Sequence, residues 1–239
     1  MPTKLIPIAD IIKNGWELYT ENFQKFLIPI LIMALPYAIL FLLQYYGRTW
    51  AAIFIVIVFV SIIMIELWLG IYFILMIDKI YNKQKIDTNK LLEEAFKKIA
   101  SYFWVCVLMA LVIIAGLILI IIPGIIFTIW FNFAPYANVL ENKKGITALK
   151  ASKELVEKRW FATCWRLIVP PLLVYLIVMA IVIGLTFMVT GGQINNASIE
   201  QNLLINSLST FIFILLSPLF ISFSIILYNS LKETKQETL

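Results

Sequence analysis

The chain has 239 residues, of which 62% are hydrophobic and only 14% charged, with a mean hydropathy of +0.95 and a formal charge of +5. Ordinary soluble domains carry roughly a quarter charged and under half apolar residues, so no single polar shell in water covers this chain and most of it needs lipid as solvent. Histidine is absent, and Cys106 and Cys164 lie far apart inside apolar stretches with no CxxC, which excludes Ser-His-Asp triads, His-ligated zinc, imidazole relays and redox pairs.

The N-terminal MPTKLIPIADIIKNGW breaks its apolar residues with polar ones every three or four positions and includes Asp10, so it is not expected to be a cleaved leader. It reads as an amphipathic helix over residues 6–23, with Ile8, Ile12, Gly15, Trp16, Tyr19 and Phe23 on one face. A spanning helix needs about 20 apolar residues, and the next two stretches of that kind are 26–46 and 50–78. A second amphipathic helix is expected over 88–100. Leu91, Leu92, Ala95, Phe96, Ile99 and Phe103 form its apolar side, Glu93–Lys97 and Glu94–Lys98 are i,i+4 pairs, and Asp87 or Thr88 is the cap. Spans at 102–122 and 124–140 follow, joined at the Ile122-Pro123-Gly124 corner. A third amphipathic helix, 146–160, turns Ile146, Leu149, Ser152, Val156 and Trp160 inward, and spans at 161–189 and 203–230 complete the chain. With Ile12, Leu92 and Leu149 in register, a small residue follows three positions on and an aromatic eleven positions on, the pattern of three helix-plus-hairpin units.

The expected fold is therefore all-α: one polytopic membrane bundle of six transmembrane helices with three cytoplasmic amphipathic surface helices. Seventeen of the 19 Lys and Arg fall on the termini and the links between hairpins. By the positive-inside rule, both termini and the two long links are expected in the cytoplasm. Because the cations follow this topology and alternate with acids, no nucleic-acid partner is expected. Tyr45, Tyr46 and Trp50 at one edge and Tyr81, Trp104, Trp160 and Trp165 at the other suit aromatic belts, while Trp68 and Trp130 lie deeper and suit packing between helices.

The stretch IPGIIFTIWFNFAPYANVLENKKGITALKASKELVEKRWFATCW carries Pro123-Gly124-Ile125, an aromatic-rich span, Pro135, then Glu141, Gly145, Ala148-Leu149, Ser152, Leu155 and Trp160. This order resembles the glycerophosphoryl diester phosphodiesterase membrane-domain family and its free-standing relatives, six-span bacterial membrane proteins. The resemblance implies that architecture and a bacterial cytoplasmic (inner) membrane location. In the name-giving members hydrolysis belongs to a separate soluble barrel, so no hydrolase activity is carried over.

Glu66 is the only charge between Thr49 and Ile77, and a carboxyl at that depth costs several kcal/mol unless it is protonated or paired. It marks either a proton or cation site or a structural hydrogen bond to a neighbouring helix. Arg166, two turns into its span, either pairs with Glu66 or snorkels to the inner surface. Pro170 and Pro171 free the carbonyls of Arg166 and Leu167, and Pro135, in the same span as Asn132, frees that of Phe131. Pro29, Pro36 and Pro218, with the Pro123-Gly124 corner, add expected kinks or hinges. No enzyme chemistry, cofactor or metal is expected. Two roles remain open: a non-catalytic module that organises membrane lipids or a membrane or cytoplasmic protein partner, or a small transporter or channel built on Glu66 and the proline-kinked helices.

Overall fold

The computed structural model describes residues 5–46, 51–119, 121–192 and 198–236. Within them lie nine α-helices and no strand: α1 (Ile8–Glu21), α2 (Phe23–Tyr46), α3 (Ala51–Tyr81), α4 (Thr88–Leu119), α5 (Ile121–Phe131), α6 (Ala134–Glu141), α7 (Ile146–Val156), α8 (Trp160–Thr190) and α9 (Ile199–Gln236). Helices are the outcome that lipid enforces, since a spanning segment must satisfy its own backbone N–H and C=O groups. Five stretches are long and apolar enough to cross a membrane: Phe23–Tyr46, Phe54–Tyr81, Thr88–Ile118, Ile146–Thr190 and Ile199–Lys235. Their outer faces carry large bare apolar side chains such as Ile118 and Met188, 79% and 80% exposed, which lipid solvates and water does not. The chain is a helical membrane protein.

The expected span at 124–140 is not one helix. It breaks at Asn132-Phe133 into α5, of 11 residues, and α6, of eight. Pro135 causes the break, because it offers no N–H to Phe131 and its ring crowds the preceding turn. Ser152 of α7 closes the gap: its Oγ accepts the Phe133 N–H at 3.0 Å and donates to the Trp130 carbonyl at 2.6 Å. The pair α5–α6 still retraces α4. Gly116 and Gly124 meet at one end, and at the other Asn138 donates to Ser101 (2.6 Å) while Lys98 donates to the Val139 carbonyl (2.6 Å).

Other boundaries also differ from the sequence expectation. Residues 88–100 form no separate surface helix but the first turns of α4, which runs unbroken to Leu119, because no Gly, Pro or polar cluster between Ser101 and Phe103 stops it. Asp87 does cap it, Oδ1 accepting the Lys90 N–H at 3.3 Å, and Lys97–Glu93 and Lys98–Glu94 pair at 2.6 and 3.3 Å. Pro123 and Gly124 lie inside the first turn of α5; Pro is tolerated there because a helix's first N–H groups have no intrahelical partner. The 47–49 link, Arg48 and Trp50 also lie outside the described residues. The three junctions where a surface helix is expected to meet a span differ from one another. A single residue separates α1 from α2, α4 has no joint, and a 3-10 turn, Glu157–Arg159, leads from α7 into α8.

Prolines do not interrupt the other long helices: α2 contains Pro29 and Pro36, α8 Pro170 and Pro171, and α9 Pro218. At Pro218 the Ile214 carbonyl, deprived of its usual donor, takes a hydrogen bond from Ser217 Oγ at 2.8 Å.

The core sits at the lysine-rich end. Residues 71–77 of α3 are buried on every side, as are Phe223, Ile225, Ile226, Leu227 and Tyr228 of α9. Around them pack Ile11 of α1, Phe26 of α2, Leu91 of α4 and Phe133 before α6. α1 lies against α9 at Gly15, where a Cβ would fall 2.6 Å from Phe223 Cε1. Its inward face is Ile11, Gly15, Leu18 and Tyr19, turned from the expected one so that Trp16 is outside, 52% exposed. The turn of the face follows from the partner: α1 is seated against protein, not against a flat lipid boundary.

Candidate functional site

Tyr37, near the middle of α2, donates its hydroxyl hydrogen bond to Glu66 Oε1 on α3. The carboxylate that sequence singled out thus has a helix-to-helix partner, and the partner is a residue the sequence reading did not select. A tyrosine in an apolar span at the depth of a carboxylate was the available signal. Arg166 does not meet Glu66. Its guanidinium donates to the backbone carbonyls of Ile6 (2.7 Å), Ala162 (2.8 Å) and Leu5 (3.4 Å), and Ile6 N–H in turn donates to Ser230 Oγ at 3.2 Å. Arg166 therefore ties the N-terminal segment to α8 at the lysine-rich end. The reason is depth: at 1.5 Å per residue Glu66 lies about 22 Å from its helix's lysine-rich end and Arg166 about 9 Å from its own. Asn132 occupies the α5–α6 break, half-buried, and no hydrogen bond among the described residues joins any two of Glu66, Arg166 and Asn132.

A second feature lies between α2, α3 and the start of α4, toward the lysine-rich end. It is a cleft of about 340 Å³. Its walls are Ile28, Ile32, Leu69, Met76, Ile86 and Leu92 with the buried Tyr72, and its rim is polar, formed by Gln24, Lys25 and Thr88. Trp68 Nε1 donates to the Leu92 carbonyl at 3.2 Å and fixes α4 against α3 beside it. Lys25 is exposed and bonds only the neutral Asn22 Oδ1 at 2.7 Å; among the described residues no carboxylate comes within ion-pair distance of it. Eight other lysines of the same end do pair with acids, whereas among the described residues no acid neutralises the cation at the cleft's mouth.

The third cluster caps the bundle. Glu141, at the end of α6, accepts from Tyr228 Oη at 2.5 Å and pairs with Lys143 and Lys232, each at 2.9 Å; Lys235 reaches Glu154 at 3.0 Å. Arg159 of the 3-10 turn donates to Thr234 Oγ1 and to the Leu231 carbonyl (3.4 Å). α6, α7, α8 and α9 are thereby latched together. Burial pushes the Glu141 carboxyl up from its ordinary 4.5, but the hydrogen bonds from Tyr228, Lys143 and Lys232 outweigh it and hold the group at about 2. A carboxyl depressed on folding stabilises the fold fully above its unfolded value, and that contribution fades as pH falls through the folded one. We therefore expect the detergent-solubilised protein to lose thermal stability as pH drops from about 4.5 toward about 2. Glu141→Gln should show a flatter acid limb; identical melting-versus-pH curves would exclude the latch as its origin.

A family model described as "Uncharacterised protein family (UPF0259)" matches residues 48–222. No curated protein and no solved structure gives a significant match. The resemblance to the glycerophosphoryl diester phosphodiesterase membrane-domain family is overturned, because the matching family is a different one and nothing indicates a relationship to the diesterase group. The features that carried it have local physical causes here. Pro123 and Gly124 serve a helix start and a close helix contact, Pro135 a helix break, and Ser152 the closing of that break.

Proposed function

Since the chain belongs to the uncharacterised family UPF0259, no activity comes with the assignment, and we propose from the site's chemistry that the protein is a non-catalytic membrane module that binds an anionic phospholipid of the cytoplasmic leaflet. The observation that carries this reading is the α2–α3–α4 cleft, apolar inside and rimmed by Lys25, which no carboxylate among the described residues neutralises. Such a cleft takes an acyl chain along Ile28, Ile32 and Leu92 and sets a phosphate beside the ammonium, an attraction of about 1 kcal/mol per surface lysine.

In this reading the bundle crosses the membrane six times, five times as single helices and once as the broken pair α5–α6. The return of α5–α6 alongside α4 and the contacts of Glu141 and Arg159 with the end of α9 support an even number of crossings. Both termini then share the lysine-rich cytoplasmic side, with α1 and α7 at the inner boundary.

Native mass spectrometry of the purified protein with phosphatidylglycerol and phosphatidylcholine tests this. We expect one retained phosphatidylglycerol, about 5-fold weaker retention in Lys25→Gln, and loss in Leu92→Trp, which fills the cleft. Equal retention of both lipids, or variants that bind like the wild type, would refute the assignment.

A further inference from the structure

Toward the lysine-poor end, α2 and α9 leave a groove of about 240 Å³ between them. Leu40 and Phe41 of α2 and Leu203 and Phe211 of α9 form its apolar walls, but Gln44, Asn206, Ser207 and Thr210 put amide and hydroxyl groups into it, and Tyr37 closes its deep end. Exposed amides and hydroxyls inside a bilayer cost several kcal/mol each unless water or protein bonds them. The Thr210 hydroxyl donates to the Asn206 carbonyl of its own helix at 2.9 Å, but among the described residues the side-chain amides of Gln44 and Asn206 and the Ser207 hydroxyl have no such bond, and a row of them running in from the helix ends therefore calls for water. The same Tyr37 that closes the groove donates to Glu66 Oε1 on the far side of the ring.

We propose that this groove admits water from the lysine-poor face and that Glu66 exchanges a proton with that face through the Tyr37 hydroxyl. A hydronium ion at the deep end gives a proton to Tyr37 Oη while the Tyr37 O–H proton passes to Glu66 Oε1. Tyr37 stays neutral, the carboxyl becomes protonated and one water remains in the groove; the reverse step releases the proton. The helices packed against α3 are α2, α4, α6 and α9. From α2 the titratable group at Glu66 is Tyr37 itself. On α4, Tyr102 approaches Gly70, one turn from Glu66 toward the lysine-rich end, and Cys106, one turn further along the antiparallel α4, comes back toward the depth of Glu66 as a neutral thiol-bearing residue. α6 and α9 carry their charged groups near the lysine-rich end, apart from Glu200 at the start of α9. A single carboxylate with a hydroxyl relay is thus the acceptor, and the site is independent of the lipid cleft at the other end of α2.

The test uses the full chain in sealed vesicles. Infrared difference spectra on changing the pH at the lysine-poor face should show a protonated-carboxyl stretch that is lost in Glu66→Gln, and Tyr37→Phe should slow its appearance at least 10-fold without removing it. Independently, Ser207→Cys in a Cys106→Ala/Cys164→Ala background should be labelled by a membrane-impermeant thiol reagent from that face only. A carboxyl signal unaffected by Glu66→Gln, a response only to the opposite face, or an unlabelled Ser207→Cys in protein that is monodisperse by gel filtration would overturn the proposal.

Discussion

Ser152→Ala is expected to destabilise the purified protein by about 2–4 kcal/mol, because it orphans two backbone groups at once and each buried, unsatisfied group costs about 1–3 kcal/mol. Those groups are the Phe133 N–H and the Trp130 carbonyl, both bonded to Ser152 Oγ and set at the break that Pro135 imposes. Ser152 itself is fully buried, so water cannot replace the hydroxyl. Alanine's better helix propensity returns only about 0.5 kcal/mol on α7, which leaves the sign unchanged. Ser152→Cys keeps the shape and a weak donor and should fall between the two. Denaturant unfolding in detergent micelles reads the difference directly. If Ser152→Ala matches the wild type within about 0.5 kcal/mol, the break between α5 and α6 is not held by this residue.

Gly124→Leu should separate α5 from α4 and lower stability by more than about 3 kcal/mol, the upper part of the range for overpacked cores. A Cβ on Gly124 would lie 3.0 Å from the Leu117 backbone nitrogen and 2.5 Å from Leu117 Cγ, and one on Gly116 would lie 3.1 Å from Gly124 Cα. A flexible side chain can move aside; a backbone held in a helix cannot. Even Gly124→Ala sets about 1 kcal/mol of gained helix propensity against about 1–3 kcal/mol of overpacking, so the net effect is destabilising. Gly116→Ala combined with Gly124→Ala should cost less than the sum of the singles, since both relieve themselves by the same displacement of α5. A stabilised Gly124→Ala would mean that the two helices do not approach this closely.

Much of this protein was legible from its sequence because lipid makes demands that a single segment answers alone. Composition fixed the solvent, apolar run length fixed the long helices, and the spacing of Glu93 and Lys97 or of Asp87 and Lys90 fixed local pairs and a cap that the structure makes. Glu66 stood out because nothing charged surrounds it. Hydropathy could not show that Pro135 divides its span rather than bending it, since the residue that mends the break, Ser152, lies 19 positions away from Phe133.

What the sequence by itself determined was therefore the solvent, the helical class and the end of the bundle that gathers the lysines. Tertiary structure alone decided that Glu66 meets Tyr37, that Arg166 holds the carbonyls of Leu5 and Ile6, that Glu141 is shared by α6 and α9, and that Lys25 stands over a cleft with no carboxylate partner among the described residues. The reason is that hydropathy belongs to a segment, whereas a hydrogen-bond partner 29 or 160 positions away exists only once the helices have chosen their depth and neighbours.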